Sequence, residues 1–353
     1  MQKSRVQYVD IYKGIGIILV VLGHMEATSD HLKVWLNAFH MPLFFAAAGL
    51  LISEGRLYER KSASVVRGRA QSILIPYFWF SLIAILWDGV KALLTKTPFS
   101  QTDVAAKLWD SFSFFGVSVL WFLPVFFVGV TGYQLLRKRI VYPAALLLLT
   151  MLAAAICILN GFPGELAAKE MSVKVFLLKL SCVFLRGFVG MFFCALGEGM
   201  SILTGYLTER KAVMLPAGLI MTGIGTYLAI MNALISGYPV SFCYLLVGNI
   251  ALFFGAAICL SGGILLLCCW IGKLAPLEYL GRYSMIIMVT HLDLRVLNLA
   301  QRAGNKAWEL TGQLFVHGIV VLVTIIVLEL FCIWLFDNCL GFMLGKKHQK
   351  PSL

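Results

Sequence analysis

The residues best placed to do chemistry gather in one short stretch, YVDIYKGIGIILVVLGHME, from Tyr8 to Glu26. Asp10, Lys13, His24 and Glu26 lie within or beside a run that is otherwise fit for hydrocarbon. An ionised side chain in a membrane span costs at least a few kcal/mol, so such groups turn toward a bundle interior or a wet cavity. Lys13 and His24 are eleven positions apart, close to three helical turns, and so share one face about 16 Å apart. Asp10 lies one turn before Lys13 on nearly the same stripe. Asp10 and Lys13 also suit a plain interfacial role, with Lys13 laying its stem along apolar surface to reach the headgroups. His24 is harder to read that way, because it stands near the far end of the run beside acidic Glu26. A neutral imidazole can take a proton from a hydroxyl, and a carboxylate such as Glu26 can orient the ring.

Three further segments bring polar or aromatic groups to a similar level. NAFHMPLFFAAAG carries His40, VLWFLPVFF carries Trp121, and LGRYSMIIMVTHLD carries His291. Three histidines on three spans predict a shared cavity, with Trp121 offering a ring face for stacking. His31, His317 and His348 fall in a loop, at an interface and in a tail. Arg186, Glu198 and Glu329 lie deeper. Arg186 is about 16 Å from the nearer end of its span, too far to extend into water, so it needs a partner or a ligand. Glu329 is a carboxylate available to it.

These groups must be held by helices. The chain has 353 residues, 60% hydrophobic and 13% charged, about half the charged fraction of an ordinary soluble domain. The apolar residues come in blocks of roughly twenty, the length that crosses hydrocarbon as a helix. The predicted fold is all-α, a polytopic membrane protein of about ten transmembrane helices. The spans are Ile11–Met25, Val34–Ser53, Ser72–Leu93, Val117–Leu136, Ile140–Leu159, Val175–Leu203, Ala212–Ile235, Val240–Leu260, Pro276–Leu292 and Gln313–Phe336. The short apolar stretch Ile264–Ile271 reads as the end of a long eighth span or as an interfacial piece. Residues 1–345 form one helical domain, and 346–353 form a basic cytoplasmic tail. No cleavable signal peptide is expected, so the first run stays as a span.

With the N-terminus inside, the inner connections hold 17 of the basic residues and the outer ones nine. That bias predicts both termini in the cytoplasm and places His24, His40, Trp121 and His291 in the outer third of the membrane. The net charge of +12 is accounted for by this placement, and no nucleic acid partner is expected. The nine cysteines fall in apolar runs without metal-ligand or haem spacing and read as packing residues. No metal site is expected.

Taken together, VDIYKGIGIILVVLGH, FHMPLFFAAAG, RGRAQSILIPYFWFS, LWFLPVFF and LGRYSMIIMVTH resemble acyltransferase family 3, the multi-pass bacterial membrane acyltransferases. The nearest pattern is the branch of fucose 4-O-acetylase-like proteins. The resemblance spans nearly the whole chain. It implies a core of roughly ten helices in the bacterial plasma membrane. It also implies acyl transfer, most commonly acetyl, from cytoplasmic acyl-CoA to a hydroxyl of a sugar, glycan or lipid-linked glycan, with no permanently bound cofactor. The family's basic residue, ten intervening positions and essential histidine match Lys13 and His24, with lysine where arginine is common. Its arginine pair before the third span matches Arg69 but meets Ser72 at the second position, leaving Arg67 as a substitute.

Acyl transfer from a thioester to an alcohol needs a base for the hydroxyl proton and donors for the tetrahedral oxyanion. The resemblance and the spacing make His24 the base, Glu26 its orienting partner, and His40, His291, Trp121 and Arg186 acceptor or oxyanion contacts. Asp10, Lys13, Arg67 and Arg69 fall to the donor passage. A transporter is the competing reading, since intramembrane charge around a cavity also suits a carrier, although no inverted repeat or pair of interrupted helices is evident. A scaffold in a glycan-assembly complex is a third class.

Overall fold

The computed structural model describes residues 7–26, 28–95, 101–161, 171–207 and 210–346. Lys3, Arg5, Lys96, Lys169, His348 and the tail from 347 onward lie outside them. Among the described residues the chain forms fifteen α-helices and no strand. They are α1 (Gln7–His24), α2 (Asp30–Asn37), α3 (His40–Glu54), α4 (Ser62–Arg69), α5 (Ile75–Thr95), α6 (Gln101–Phe112), α7 (Phe122–Arg139) and α8 (Pro143–Asn160). There follow α9 (Val173–Leu207), α10 (Lys211–Ser236), α11 (Ile250–Ile271), α12 (Ala275–Arg282), α13 (Ser284–Thr290), α14 (Val296–Thr311) and α15 (Leu314–Trp334).

Among the described residues, eight helical stretches are long and apolar enough to cross a membrane: Asp30–Glu54, Ser62–Trp87, Ser118–Arg139, Pro143–Asn160, Val173–Leu207, Lys211–Ser236, Ile250–Ile271 and Leu314–Cys339. The protein is an all-α polytopic membrane protein. Two of the predicted spans are absent from that set, for a physical reason. Asp10, Lys13 and His24 lower the hydropathy of α1, and the ninth predicted span breaks at Tyr283 into α12 and α13. Both paths are nevertheless part of the bundle, with α1 packed on α12, α3, α11 and α13.

Local sequence explains most boundaries. Ser29 accepts the Leu32 N–H to open α2, and Asn249 accepts those of Ala251 and Leu252 to open α11. Phe39, with φ −148°, interrupts the path between α2 and α3. Gly237 at φ +77° closes α10 and donates its N–H to Ala233.

The predicted span Val240–Leu260 needs correction. Residues 240–249 form a folded loop with a bridge between Ser241 and Leu246, and the helix is Ile250–Ile271. The stretch Ile264–Ile271 is therefore the last third of α11. The third predicted span also starts early, because α4 runs into a π-helical turn at Ala70–Leu74 before α5.

Helix backbones touch at glycines in several places, among them Gly263 and Gly225 between α10 and α11, and two such seams frame the helices that carry the histidines. Any side chain at Gly14 would strike the Leu277 carbonyl, and one at Gly281 would strike that of Asp10, so α1 and α12 meet only because both are glycine. Gly49 lies against the Cys194 carbonyl and Gly197 against that of Ala46, joining α3 to α9 in the same way. At 35 residues, α9 is about 52 Å long and is pinned by an ion pair toward each end. Lys179 pairs with Asp110 of α6, and Glu198 accepts from Arg137 Nε of α7 at 2.8 Å and from the Tyr133 hydroxyl. Leu148 and Leu152 on α8, Ile220 and Leu234 on α10, and Leu322 and Val327 on α15 stand exposed, as lipid-facing positions do.

Candidate active site

Four helix termini meet at one end of the bundle. His24 is the last residue of α1 and His40 the first of α3; Trp121 immediately precedes α7 and His291 follows α13. All four line a single cavity of about 710 Å³, counting its open mouth. Asn37, Ser241, Phe242 and Cys243 complete much of the remaining wall. The His24 and His291 rings lie with centroids 5.3 Å apart.

Hydrogen bonding fixes how two of the imidazoles present themselves. His40 Nδ1 lies 2.6 Å from the Leu36 carbonyl oxygen, and His291 Nδ1 lies 2.9 Å from that of Ile287. A carbonyl only accepts, so each Nδ1 carries the proton and, in the neutral ring, each Nε2 is left as an acceptor. His291 is fully buried, and its Nε2 has no hydrogen-bond partner among the described residues. His24 differs: among those residues neither of its nitrogens is engaged, and the residue faces the mouth. The first turns of α3 and α7 also border the cavity, and the positive end of a helix favours negative charge.

Trp121 is held from behind. The Arg186 guanidinium stacks over it at 5.4 Å and over Phe115 at 4.8 Å, and Phe242 stacks on the same indole at 6.3 Å. Arg186 Nε donates to the Cys182 carbonyl, and Nη1 approaches Cys243 Sγ. The fully buried arginine therefore ties the indole to the 240–249 loop.

A second cavity, of about 1020 Å³, opens toward the other end and carries Lys13, Arg69 and Arg282. Met41, Phe122 and Met288 line both cavities. Those three side chains are a floor for the first and a ceiling for the second.

A family model described as an acyltransferase domain matches residues 6–337, nearly the whole chain. The chain belongs to acyltransferase family 3. It is also similar to the nodulation protein NolL of Sinorhizobium fredii (strain NBRC 101917 / NGR234), with 37% identity over 125 residues. That match covers 32% of this chain and 32% of NolL, so the chain aligns with about a third of its relative's length. No solved structure matches.

Within this family-3 chain the sequence-predicted residues divide into those at the cavities and those away from them. His24, His40, Trp121 and His291 come together, as do Lys13 and Arg69 in the second cavity. Asp10 is buried beside Lys13 at 3.1 Å. Glu26 does not reach the His24 ring: it is exposed in the turn after α1, and the ring beside His24 is His291. Arg186 lies behind Trp121 rather than in the cavity, and Glu329 is not its partner, taking Thr290 instead at 2.7 Å. Arg67 is exposed on α4, outside both cavities. Ser72 is likewise exposed and outside both cavities, and Arg282 brings a further cation to the second one. Sequence reasoning missed Arg282, Asn37 and the 240–249 loop. Pro239 and the flanking Gly237 and Gly248 were the available signal for that loop.

Proposed function

We propose that the protein is an O-acetyltransferase of the bacterial plasma membrane. It moves an acetyl group from cytoplasmic acetyl-CoA to a hydroxyl of a cell-surface glycan or its lipid-linked precursor. The observation that carries this reading is the pair of cavities with a common floor, one lined by imidazoles and an indole, the other by cations. In the cationic cavity, Arg69 and Arg282 suit CoA phosphates, which planar guanidinium groups grip through paired hydrogen bonds; Lys13 adds a point charge. The pantetheine arm rises from there between Met41, Phe122 and Met288 and brings the thioester to the level of His24, about 16 Å beyond Lys13 along α1.

His24 removes the proton from the acceptor hydroxyl as its oxygen attacks the thioester carbonyl. The carbon–oxygen bond forms, the carbon–sulfur bond breaks, and the thiolate leaving group takes the proton back from His24. The His24 ring is suited to this double duty because neither nitrogen is committed to a partner among the described residues. His40, with Nδ1 tied to a carbonyl, offers Nε2 as an acceptor for another sugar hydroxyl, the buried His291 packs its ring beside that of His24, and Trp121 gives the sugar ring a stacking face. The transient oxyanion falls to the positive ends of α3 and α7.

Purified protein in detergent, supplied with labelled acetyl-CoA and a panel of sugars and lipid-linked sugars, tests the proposal. The expected result is CoA release coupled to a labelled ester, lost on His24→Ala in a protein that still elutes as a folded species. Solute crossing a liposome unchanged, with no ester formed, would establish the carrier instead.

A further inference from the structure

The floor between the cavities is built with a regularity that the transfer step alone does not require. Three of the helices that give the upper cavity a polar or aromatic group, α3, α7 and α13, also give the floor an apolar one beside it, whereas α1 and α2, which carry His24 and Asn37, give it none. His40 is followed by Met41, Trp121 by Phe122, and Met288 precedes His291 by three residues, about one turn. The three floor residues are buried. Phe122 is held by aromatic contacts with Phe44, Phe45 and Phe126, at centroid distances of 6.1, 5.6 and 5.2 Å. Met41 and Met288 are unbranched thioethers that can swing aside and return. None of the three side chains carries a charge or a hydrogen-bonding N–H or O–H.

We propose that Met41, Phe122 and Met288 form a threading ring that selects the acyl donor by width and charge, not by length. This rests on the acyltransferase reading, because the donor must come from the cationic cavity with its acyl end first. Everything that reaches His24 from below then passes the ring. A straight acyl chain has the same cross-section as the pantetheine arm that follows it, so its length is no obstacle. A branched or aromatic acyl group is wider than the arm and meets the fixed face of Phe122. A succinyl group is slender, but its carboxylate must shed water at a place that offers it no hydrogen bond. The ring therefore admits acetyl and short straight acyl groups and rejects benzoyl and succinyl for different reasons.

The test measures CoA release by purified protein in detergent, with a thiol reagent, from acetyl-, butyryl-, benzoyl- and succinyl-CoA, with the panel of sugars and lipid-linked sugars present as acceptors. Butyryl is expected within about tenfold of acetyl, with benzoyl and succinyl slower by at least about 100-fold. The Met41→Ala/Met288→Ala double variant should raise benzoyl turnover relative to acetyl by about tenfold or more and leave succinyl slow. The wild-type profile alone suffices if that variant fails to fold. Comparable use of benzoyl or succinyl by the wild type would overturn the ring, as would rejection of butyryl or an unchanged ratio in a folded double variant. If no donor releases CoA and His24→Ala equals wild type, the transferase reading beneath it fails instead.

Discussion

The upper cavity is lined by three imidazoles and an indole and by no permanently charged side chain, whereas the lower one presents Lys13, Arg69 and Arg282. Their common floor is apolar. On the proposed function, that contrast lets one bundle hold a highly anionic co-substrate and still keep a neutral base. Cations beside the imidazoles would favour the neutral base but would also grip phosphate where the thioester has to react. Separation by one apolar layer avoids that conflict. Arg186, the cation nearest the upper cavity, is turned into an aromatic slot behind Trp121 rather than into the cavity.

The comparison breaks most visibly at His24. Replacing it with alanine should lower kcat by about 100-fold or more, the contribution of a positioned general base, with the KM for acetyl-CoA little changed. A loss that appeared mainly in KM would merge the two cavities' roles. Arg69→Ala should do the reverse, raising the KM for acetyl-CoA about tenfold with kcat within about threefold. Rising ionic strength should weaken donor binding in the wild type and do so less in this variant.

Arg186→Gln sharpens the boundary of the upper cavity. It frees the indole and the 240–249 loop together, so the acceptor KM should rise several-fold while the donor KM stays put. A kcat collapse like that of His24→Ala would instead place the guanidinium at the reacting atoms.

The smallest effect concerns a buried carboxyl near this end of the bundle. Asp293, in the turn after α13, is pushed up to about 7 by burial, against the Ser118 hydrogen bond and the nearby Arg295 and Lys107. The unfolded chain ionises near pH 4 and the folded one near 7, so this group's stabilising contribution falls as pH rises through that window. Asp293→Asn should lessen the fall of the unfolding midpoint between pH 4 and 7 by a few degrees. An unchanged slope would show that the carboxyl is ionised throughout.

The histidines were legible in sequence because a polar ring inside an apolar run is costly unless something compensates it, and because helical spacing converts directly into height. Their partners were not. Glu26 looked like an orienting carboxylate from its nearness along the chain, yet α1 ends at His24 and the next turn carries Glu26 outward. Arg186 and Glu329 are charges of opposite sign at similar depth, but depth carries no azimuth, and they face different neighbours. The 240–249 loop hid for another reason. Hydropathy counts apolar residues without asking whether they point at lipid, and Val240, Phe242, Leu245 and Val247 are apolar because they are buried against other helices.

The glycine seams decide where this bundle can breathe. Helices whose backbones touch have no intervening side chains to repack, so α1 cannot rock against α12, nor α3 against α9, without separating altogether. The 240–249 loop is held differently, by the Asn232 side chain on its backbone and by contacts of Phe242 and Cys243, and a bulky guest finds room more readily there. Engineering aimed at new acceptors belongs in that loop, and even one methyl added at Gly14, Gly49, Gly197 or Gly281 would unseat the frame that the guest depends on.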